Sequence, residues 1–419
     1  MSGYQRILFR FFFLYFVLQT LPFNFKYFER VPAGIGYRTL FYISRYMPGD
    51  NFATWGILAI IALAGTIIWS LADNKNRSYE QLYYWLRVLL RYRLAAGIIA
   101  YGLLKLFPQQ LPFPSISQLN THYGDFTAWK LFAISTGIVP SMESFLGLVE
   151  TTAGLLLLSR RTAPIGAGII LTFTGNVFLS NLAYEGGEYV YSLYLISIAL
   201  FLIVYDLQRI ISLISLQQAT APDPVKPHFA KPWLRYLKIG LKALFIFFFV
   251  GVYGVTAFAA YKKAPYQYPV QAGLPAAAGI YNVNEFTING TALPYSLTDS
   301  IRWKDVVFEK WATLSVRSNR TFTPDLSNTE EIYSNDAERN FESAGNASRQ
   351  FYAYVNDTAK HILYLQNKNK HYKEDRLILH YERPDSSTIV LYNDSLHVVL
   401  HKLDKKYPLI IGRRKPLKL

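Results

Sequence analysis

Long apolar runs fill the first three-fifths of the chain, and a two-residue alternation fills much of the rest. A bilayer core takes roughly 20 apolar residues as helix. Stretches 6–22, 53–72, 86–106, 143–158, 163–183, 189–207 and 239–261 approach that length, which predicts about seven spans. The first and fourth are short, so each is expected to be tilted or partly interfacial. The second, from Phe52 to Ala72, and the seventh, from Ile239 to Ala260, are the clearest. The N-terminal run, Arg6-Ile-Leu-Phe-Arg10 followed by Phe11 to Leu21, has the form of a signal sequence. Pro22-Phe-Asn-Phe-Lys26 follows in place of a small-x-small cleavage site, so the run reads as a retained first span or signal anchor.

Beyond the apolar part the period changes to two. Leu377-Ile-Leu-His-Tyr-Glu382, Thr388-Ile-Val-Leu-Tyr392 and Leu396-His-Val-Val-Leu-His401 alternate, with turn residues Pro384 to Ser387 and Asn393 to Ser395 between them, and they predict a meander. Further strands are expected at 280–288, 305–317, 351–355, 361–366 and 408–412. That many short antiparallel strands suggest a small barrel or sandwich, with a lipocalin-like form among the alternatives. The domain reading is a two-span region 1–85, a four-helix bundle 86–215, a Pro-rich linker 216–238 (Pro222, Pro224, Pro227, Pro232), a seventh span 239–263, a linker 264–278 and a β-rich domain 279–419.

Charge supports the same division. Charged residues make up 17% of the chain, below the roughly 25% usual for soluble domains, and the deficit lies before residue 262. The net charge of +15 divides as +10 before that point and +5 after it. The excess flanks apolar spans, so it points to headgroups and topology and not to nucleic acid. Lys75 and Arg77, then Arg160 and Arg161, then Arg209, Lys226, Lys231 and Arg235 occupy alternate loops. These are cytoplasmic by the positive-inside rule, which puts the N-terminus inside and the β domain in the periplasm. The loop 107–142 has only Lys130, and 184–188 has no basic residue, as outside loops should. The first long loop, with Lys26, Arg30, Arg38 and Arg45, breaks the pattern; its aromatic content suggests that it lies partly on the interface. The chain has no cysteine, which excludes disulfides, thiol catalysis and Cys-ligated clusters. Walker, dinucleotide-binding, Gly-x-Ser-x-Gly and HExxH motifs are absent as well.

From about residue 93 to 210 the sequence resembles the DoxX family, a four-helix membrane bundle. The resemblance rests on Leu94-Ala-Ala-Gly-Ile-Ile-Ala-Tyr-Gly-Leu-Leu-Lys105, on Gly147-Leu-Val-Glu150-Thr-Thr-Ala-Gly154 with the Arg160-Arg161 turn, on Gly166-Ala-Gly168, Asn176 and Asn181, and on a last helix ending near Asp206-Leu-Gln-Arg209. Two N-terminal spans, a seventh span, the long loop 107–142 and the β domain are additions, as in large bacterial DoxX-like proteins. The resemblance implies an inner-membrane protein. Some members of that family are small subunits of a thiosulfate:quinone oxidoreductase, and others are linked to membrane redox systems.

Glu150 is the sharpest single feature, because an ionised carboxylate in mid-span costs about 2.5 kcal/mol or more and marks function or pairing. Helical spacing puts Glu143, Gly147, Glu150 and Gly154 on one stripe, where the glycines allow close approach. An ion pair with Arg91, Arg93 or Lys105 is the ordinary explanation; a ligand or proton site is the sharper one. Asn176, Ser180, Asn181 and Tyr184, with Tyr191 and Ser192, form a polar stripe that could face Glu150 and hold a quinone-like head group, although interhelical hydrogen bonding is the commoner explanation of such a stripe. Lys105 is placed to snorkel or to line the same site, and His122, Tyr123, Asp125, Trp129 and Lys130 are placed to cap the outer mouth of the bundle. His380, His397 and His401 are expected on one face of the meander with Glu382 and Thr388. His397 and His401 would lie about 13 Å apart, too far to chelate one ion.

The leading expectation is therefore an accessory or binding component of the membrane. Its bundle would take a lipid-soluble ligand such as a quinone, or a partner subunit, and its β domain would face the periplasm; membrane lipids and a membrane or periplasmic protein are the expected partners. A subunit of a quinone-linked oxidoreductase and a small-solute transporter are the alternatives.

Overall fold

The computed structural model describes residues 3–73, 79–221, 225, 231–263 and 265–411. Lys75, Arg77 and Lys226, used above to orient the chain, lie outside these residues, as do Pro222, Pro224 and Pro227. The chain forms two compact units. One joins Met1–Phe107 with Ser144–Ala259, and the other joins Pro108–Glu143 with Ala260–Leu419. The segment expected as an outer loop of the bundle is thus built into the C-terminal unit.

The helices, in chain order, are α1 (Gly3–Thr20), α2 (Tyr37–Ser44), α3 (Phe52–Ala72), α4 (Glu80–Leu106), α5 (Ile116–Leu119), α6 (Ala128–Gly137), α7 (Pro140–Leu157), α8 (Ala163–Ala183), α9 (Tyr189–Val204), α10 (Leu207–Ile214) and α11 (Pro232–Lys263). Asn51 starts α3 by accepting the Thr54 amide at 2.9 Å, as an N-cap should. Among the described residues α3, α8 and α11 are long and apolar enough to cross a membrane, and six spans result if the bent pairs α1 with 25–33, α6 with α7, and α9 with α10 each count once. The seven spans expected from the sequence are therefore resolved only in part. The third of them, α4, falls short because Arg87, Arg91, Arg93 and Lys105 interrupt it.

α4 is nonetheless the most enclosed helix of the first unit, with Leu90, Leu94, Ala95, Ile99 and Leu104 fully buried. Its contacts have a consistent direction. Against α9 they run antiparallel, from Arg87 with Asp206, through Gly97 beside Leu195, to Tyr101 with Glu188. Against α7 they are also antiparallel, Ile99 meeting Gly154 and Gly102 meeting Gly147. Against α11 they run parallel: Tyr84 meets Lys238, Tyr92 meets Phe245, Ala100 meets Tyr253 and Phe107 meets Phe258. α1 and α3 pair antiparallel, with Arg10 on Ser70 at 2.9 Å and Leu14 on Gly65.

The C-terminal unit is a closed antiparallel barrel. Its strands are β1 (Gly279–Ile288), β2 (Thr291–Ala292), β3 (Asp305–Phe308), β4 (Thr313–Arg317), β5 (Arg349–Asp357), β6 (Ile362–Asn367), β7 (Arg376–Glu382), β8 (Thr388–Tyr392) and β9 (Leu396–Lys402). β3 to β9 follow one another as an up-and-down meander. β1 closes the ring, pairing with β3 through Gly279–Asn282 and with β9 through Tyr281–Ile288, with a bulge at Val283/Glu285. β2 is a two-residue appendage on β1. Closure removes the exposed edges that an open sheet would leave.

The interior is filled. Leu379, Ile389, Leu391, Leu396, Val398 and Leu400, read as core from the alternation, pack with Tyr281, Phe286, Phe308, Leu314 and Tyr354, and Leu377 lies against them half-buried. The strand expected over 305–317 is two strands with a turn at 309–312. The strand expected at 408–412 is a helical turn at Pro408–Ile411. Pro408 has no N–H to donate to a ladder, and the closed ring offers it no free edge.

Where α4 and α7 cross, a Cβ added to Gly147 would meet the Gly102 carbonyl oxygen at 2.5 Å and would also collide with the backbone of Leu106. Gly147→Ala is expected to destabilise the helical unit by about 1–3 kcal/mol, read as a lowered Tm of the full chain in detergent. Gly175→Ala, where nothing lies within 4 Å, is the control and is expected to be neutral or slightly stabilising.

Candidate functional site

The close crossing of α4 and α7 brings Lys105 to Glu150. Lys105 Nζ lies 2.6 Å from Glu150 Oε1, and both side chains are shielded, at 11% and 6% exposure. Gly102 allows this, because a Cβ there would lie 2.6 Å from Thr151 Oγ1 and 2.7 Å from the Thr151 amide. Only one oxygen of the carboxylate is used. Glu150 Oε2 is buried with no hydrogen-bond partner, and so is the hydroxyl of the adjacent Thr151.

The polar stripe on α8 does not converge on this pair. Asn176 is exposed, Ser180 is half-buried and Tyr184 is 41% exposed. Asn181 is buried and committed locally: its Nδ2 donates to the Val177 carbonyl at 2.9 Å, and its Oδ1 accepts the Glu188 amide at 3.0 Å. It shapes the turn into α9. Ser192 is likewise turned onto the Glu188 carbonyl at 2.8 Å. Glu143, at the other end of the stripe, belongs to the C-terminal unit. Its Oε1 accepts the amides of Gln110 and Leu111 at 2.9 and 3.0 Å, which fastens the end of the 108–143 segment to its beginning.

A second polar group of the helical unit was not anticipated. Glu188 forms an ion pair with Arg45 and accepts from Tyr101 at 3.2 Å. Arg93 donates to the carbonyls of Ser44 (2.7 Å) and Tyr46, with Tyr194 beneath its guanidinium at 5.3 Å. These contacts bind α2 and its flanks to α4 and α9. They also account for Arg45, one of the four basic residues that broke the loop-charge pattern: its charge is neutralised.

In the C-terminal unit, the 108–143 segment lies on the outer face of β3, β4 and β5. Its anchor is α5, whose capping box at Ser115 presents the next amides outward. Glu309 accepts from the Ser117 amide and hydroxyl, both at 2.7 Å, and from the Ile116 amide at 3.2 Å. Ser117 also meets Ser315 at 2.8 Å, and Arg349 reaches the Asn120 carbonyl at 3.2 Å while pairing with Asp305. Burial, reinforced by the Glu342 carboxylate, pushes Glu309 up to about 7 against the pull of those hydrogen bonds. Glu342 is itself paired with Lys368 at 2.9 Å. Lys130 donates to the Phe341 carbonyl and lies 3.9 Å over that ring. Burial draws it down to about 7, opposed by Glu342 and Asp325.

Tyr123 is 79% exposed, and Asp125 accepts the Ala347 amide through its carbonyl at 2.8 Å. His122 contacts Arg317 at 3.0 Å and Asp125 at 3.6 Å. Of the residues expected to cap the bundle, His122, Asp125 and Lys130 thus make these contacts within the C-terminal unit. The three meander histidines lie on its outer face. The register sets Thr388 opposite His401 and Tyr392 opposite both His397 and His380, and the His380 ring stacks on Tyr392 at 5.3 Å. No group of three potential metal ligands occurs among the described residues.

No protein-family model, curated protein or solved structure matches the chain.

Two outcomes follow from these sites. Lys105→Met leaves the Glu150 carboxylate buried and unpaired, at an expected cost of about 3–5 kcal/mol, whereas replacing both partners with Met is expected to be neutral or stabilising. Thermal melts of the single and double variants check this. Lys130 has its folded pKa below the roughly 10.5 of the unfolded chain, so its contribution is complete above pH 10.5 and is lost as pH falls to about 7. Lys130→Met is expected to flatten that limb of a denaturant-stability profile, by roughly 1–3 kcal/mol across it.

Proposed function

We propose that this chain is an integral membrane binding component, of the inner membrane, with its barrel unit in the periplasm. The observation that carries the reading is the outward face of the long helices. On α3 alone Ile60, Ile68 and Leu71 are 67–75% exposed, with Ile57, Ile61, Leu63 and Ile67 beside them. Soluble monomers rarely leave a continuous apolar patch above a few hundred Å² uncovered, and lipid is the cover that fits a helix of this length.

Connectivity supports the sidedness. A body built from 108–143 and 260–419 lies on one side of any bilayer, so residues 144–259 must cross an even number of times. α7, α8, α9 and α11 supply four crossings, and the contacts of α7, α9 and α11 with α4 run in the directions that alternate crossing requires. The Glu188 pairs and the Arg10–Asp73 pair at 3.5 Å then fall at opposite ends of the helices, where charge is least costly.

Within the bundle, the ligand centre is Glu150 and Thr151, with Lys105 as counter-ion. A head group that donates one hydrogen bond and accepts another satisfies the two orphaned atoms; a phenol or hydroquinone does both. The resemblance of 93–210 to DoxX proteins, some of them quinone-linked, agrees with that chemistry. Asn176, Ser180 and Tyr184 have no part in this version of the site.

Organic extraction of the full chain purified in mild detergent tests the reading. A quinone or quinol is expected in roughly molar ratio, and Thr151→Val, which leaves the Lys105–Glu150 pair in place, is expected to lose most of it. A wild-type extract without quinone would remove the ligand from the account.

A further inference from the structure

The barrel of the C-terminal unit is filled by its own side chains, so a small molecule meets that unit on the outside. Outward positions of an antiparallel strand that face water are ordinarily polar. β8 and β9 keep to this with Thr388, His397 and His401. The middle of the β5–β6–β7 face does not. There Val355, Tyr364 and Ile378 are 57%, 41% and 54% exposed. The ladder sets Val355 opposite Tyr364 and Tyr364 opposite Ile378, so the three form one apolar row across three strands.

The row is the floor of a cavity of about 520 Å³, a size common among small-molecule sites. Pro269 and Gln271 build its wall from one segment, and Asn335 to Ala337 from another. Asp336 fastens the two together. Its Oδ2 accepts the amides of Val270 and Gln271 at 2.9 and 2.8 Å, and its Oδ1 lies 3.4 Å from Arg339. The carboxylate in the wall is thereby occupied.

Arg376 also lines the cavity, two residues before Ile378 on the same face and opposite Gln366. It is exposed, and it forms no hydrogen bond or ion pair with any described residue. The side-chain amide of Gln271 and the hydroxyl of Tyr364 likewise have no partner among the described residues. An exposed arginine is ordinary by itself. Its place at the end of an apolar row, inside a walled cavity, is not.

We propose that this cavity binds an amphipathic carboxylate, its apolar body on Val355, Tyr364 and Ile378 and its anionic end on Arg376. The floor spans about 10 Å across three strands, and Arg376 stands about 7 Å along β7 from Ile378. Those dimensions suit a rigid acid of two aromatic rings. Guanidinium donors match the two oxygens of a carboxylate in parallel. A peptide strand fits the site poorly, because the closed ring has no free edge to pair with its backbone. The proposal depends neither on the membrane reading nor on Glu150.

Calorimetric titration of the full chain in mild detergent, against detergent-only blanks, tests it with biphenyl carboxylate, the neutral biphenyl carboxamide and acetate. Wild type is expected to bind the carboxylate roughly tenfold more tightly than the carboxamide, and acetate not measurably. Arg376→Gln is expected to bring the carboxylate down to the affinity of the carboxamide and to leave the latter unchanged. Tyr364→Ala is expected to weaken both by about fivefold or more. Thr151→Val is expected to alter neither, which separates this cavity from the site within the helices. Equal affinities for the two biphenyl compounds in wild type, an unaltered carboxylate affinity in Arg376→Gln, acetate bound as tightly as the biphenyl acid, or loss of binding in Thr151→Val would overturn the proposal. So would absence of binding by wild type; if the chain then self-associates and Tyr364→Ala abolishes this, the face is an interface between copies instead.

Discussion

Hydrogen bonds from Ser117 and Ile116 to Glu309 join two stretches of chain nearly 200 residues apart, and the rest of the architecture depends on that union. It makes one body of the 108–143 segment and the barrel. Glu309 is buried with its acceptor atoms filled, Arg349 and Asp305 form a buried pair beside it, and Glu143 closes the stem of the segment. Removing the segment would strand these charged groups on a bare sheet face. On the membrane reading proposed above, the same union sets the parity of crossings by residues 144–259.

Inside the helical unit the packing solves a different problem. α4 carries Arg87, Arg91, Arg93 and Lys105 through the middle of an apolar bundle, and each is dealt with locally. Arg87 takes Asp206, Arg93 takes backbone carbonyls and Lys105 takes Glu150, the last only because Gly102 and Gly147 let the helix backbones meet. Among the described residues no partner is seen for Arg91 Nε. At the other end of α4, Glu150 and Thr151 each keep one unused polar atom. Those two atoms are where a small amphipathic head group is inferred.

Much of the barrel was legible because one face of each strand meets the core and the other meets water. β7, β8 and β9 show a clean alternation, and their core residues and outward histidines lie where that alternation puts them. β3 and β4 lost the signal because the 108–143 segment covers their outer face, so every residue of β3 is buried and the hairpin read as one strand. That cover was illegible in turn, since its hold consists of polar contacts across long separations and leaves no period in the sequence. In the helices, Glu150 and its glycine stripe stood out through composition alone. Asn176 and Tyr184 lie exposed and away from the Lys105–Glu150 pair, since spacing shows which residues share a face and not what that face meets. The pairing of Arg45 with Glu188 was not foreseen because charge counts treat loops separately, while the fold brings loops together.

The absence of cysteine makes the central claim directly measurable. Single cysteines at Tyr123, Leu297 and Gln218, all exposed positions, can be challenged with a membrane-impermeant thiol reagent on intact spheroplasts. The account requires Tyr123→Cys and Leu297→Cys to be labelled from outside, and Gln218→Cys only after the membrane is opened. Labelling of Tyr123→Cys and Leu297→Cys from opposite sides, or of all three from the same side, would contradict it.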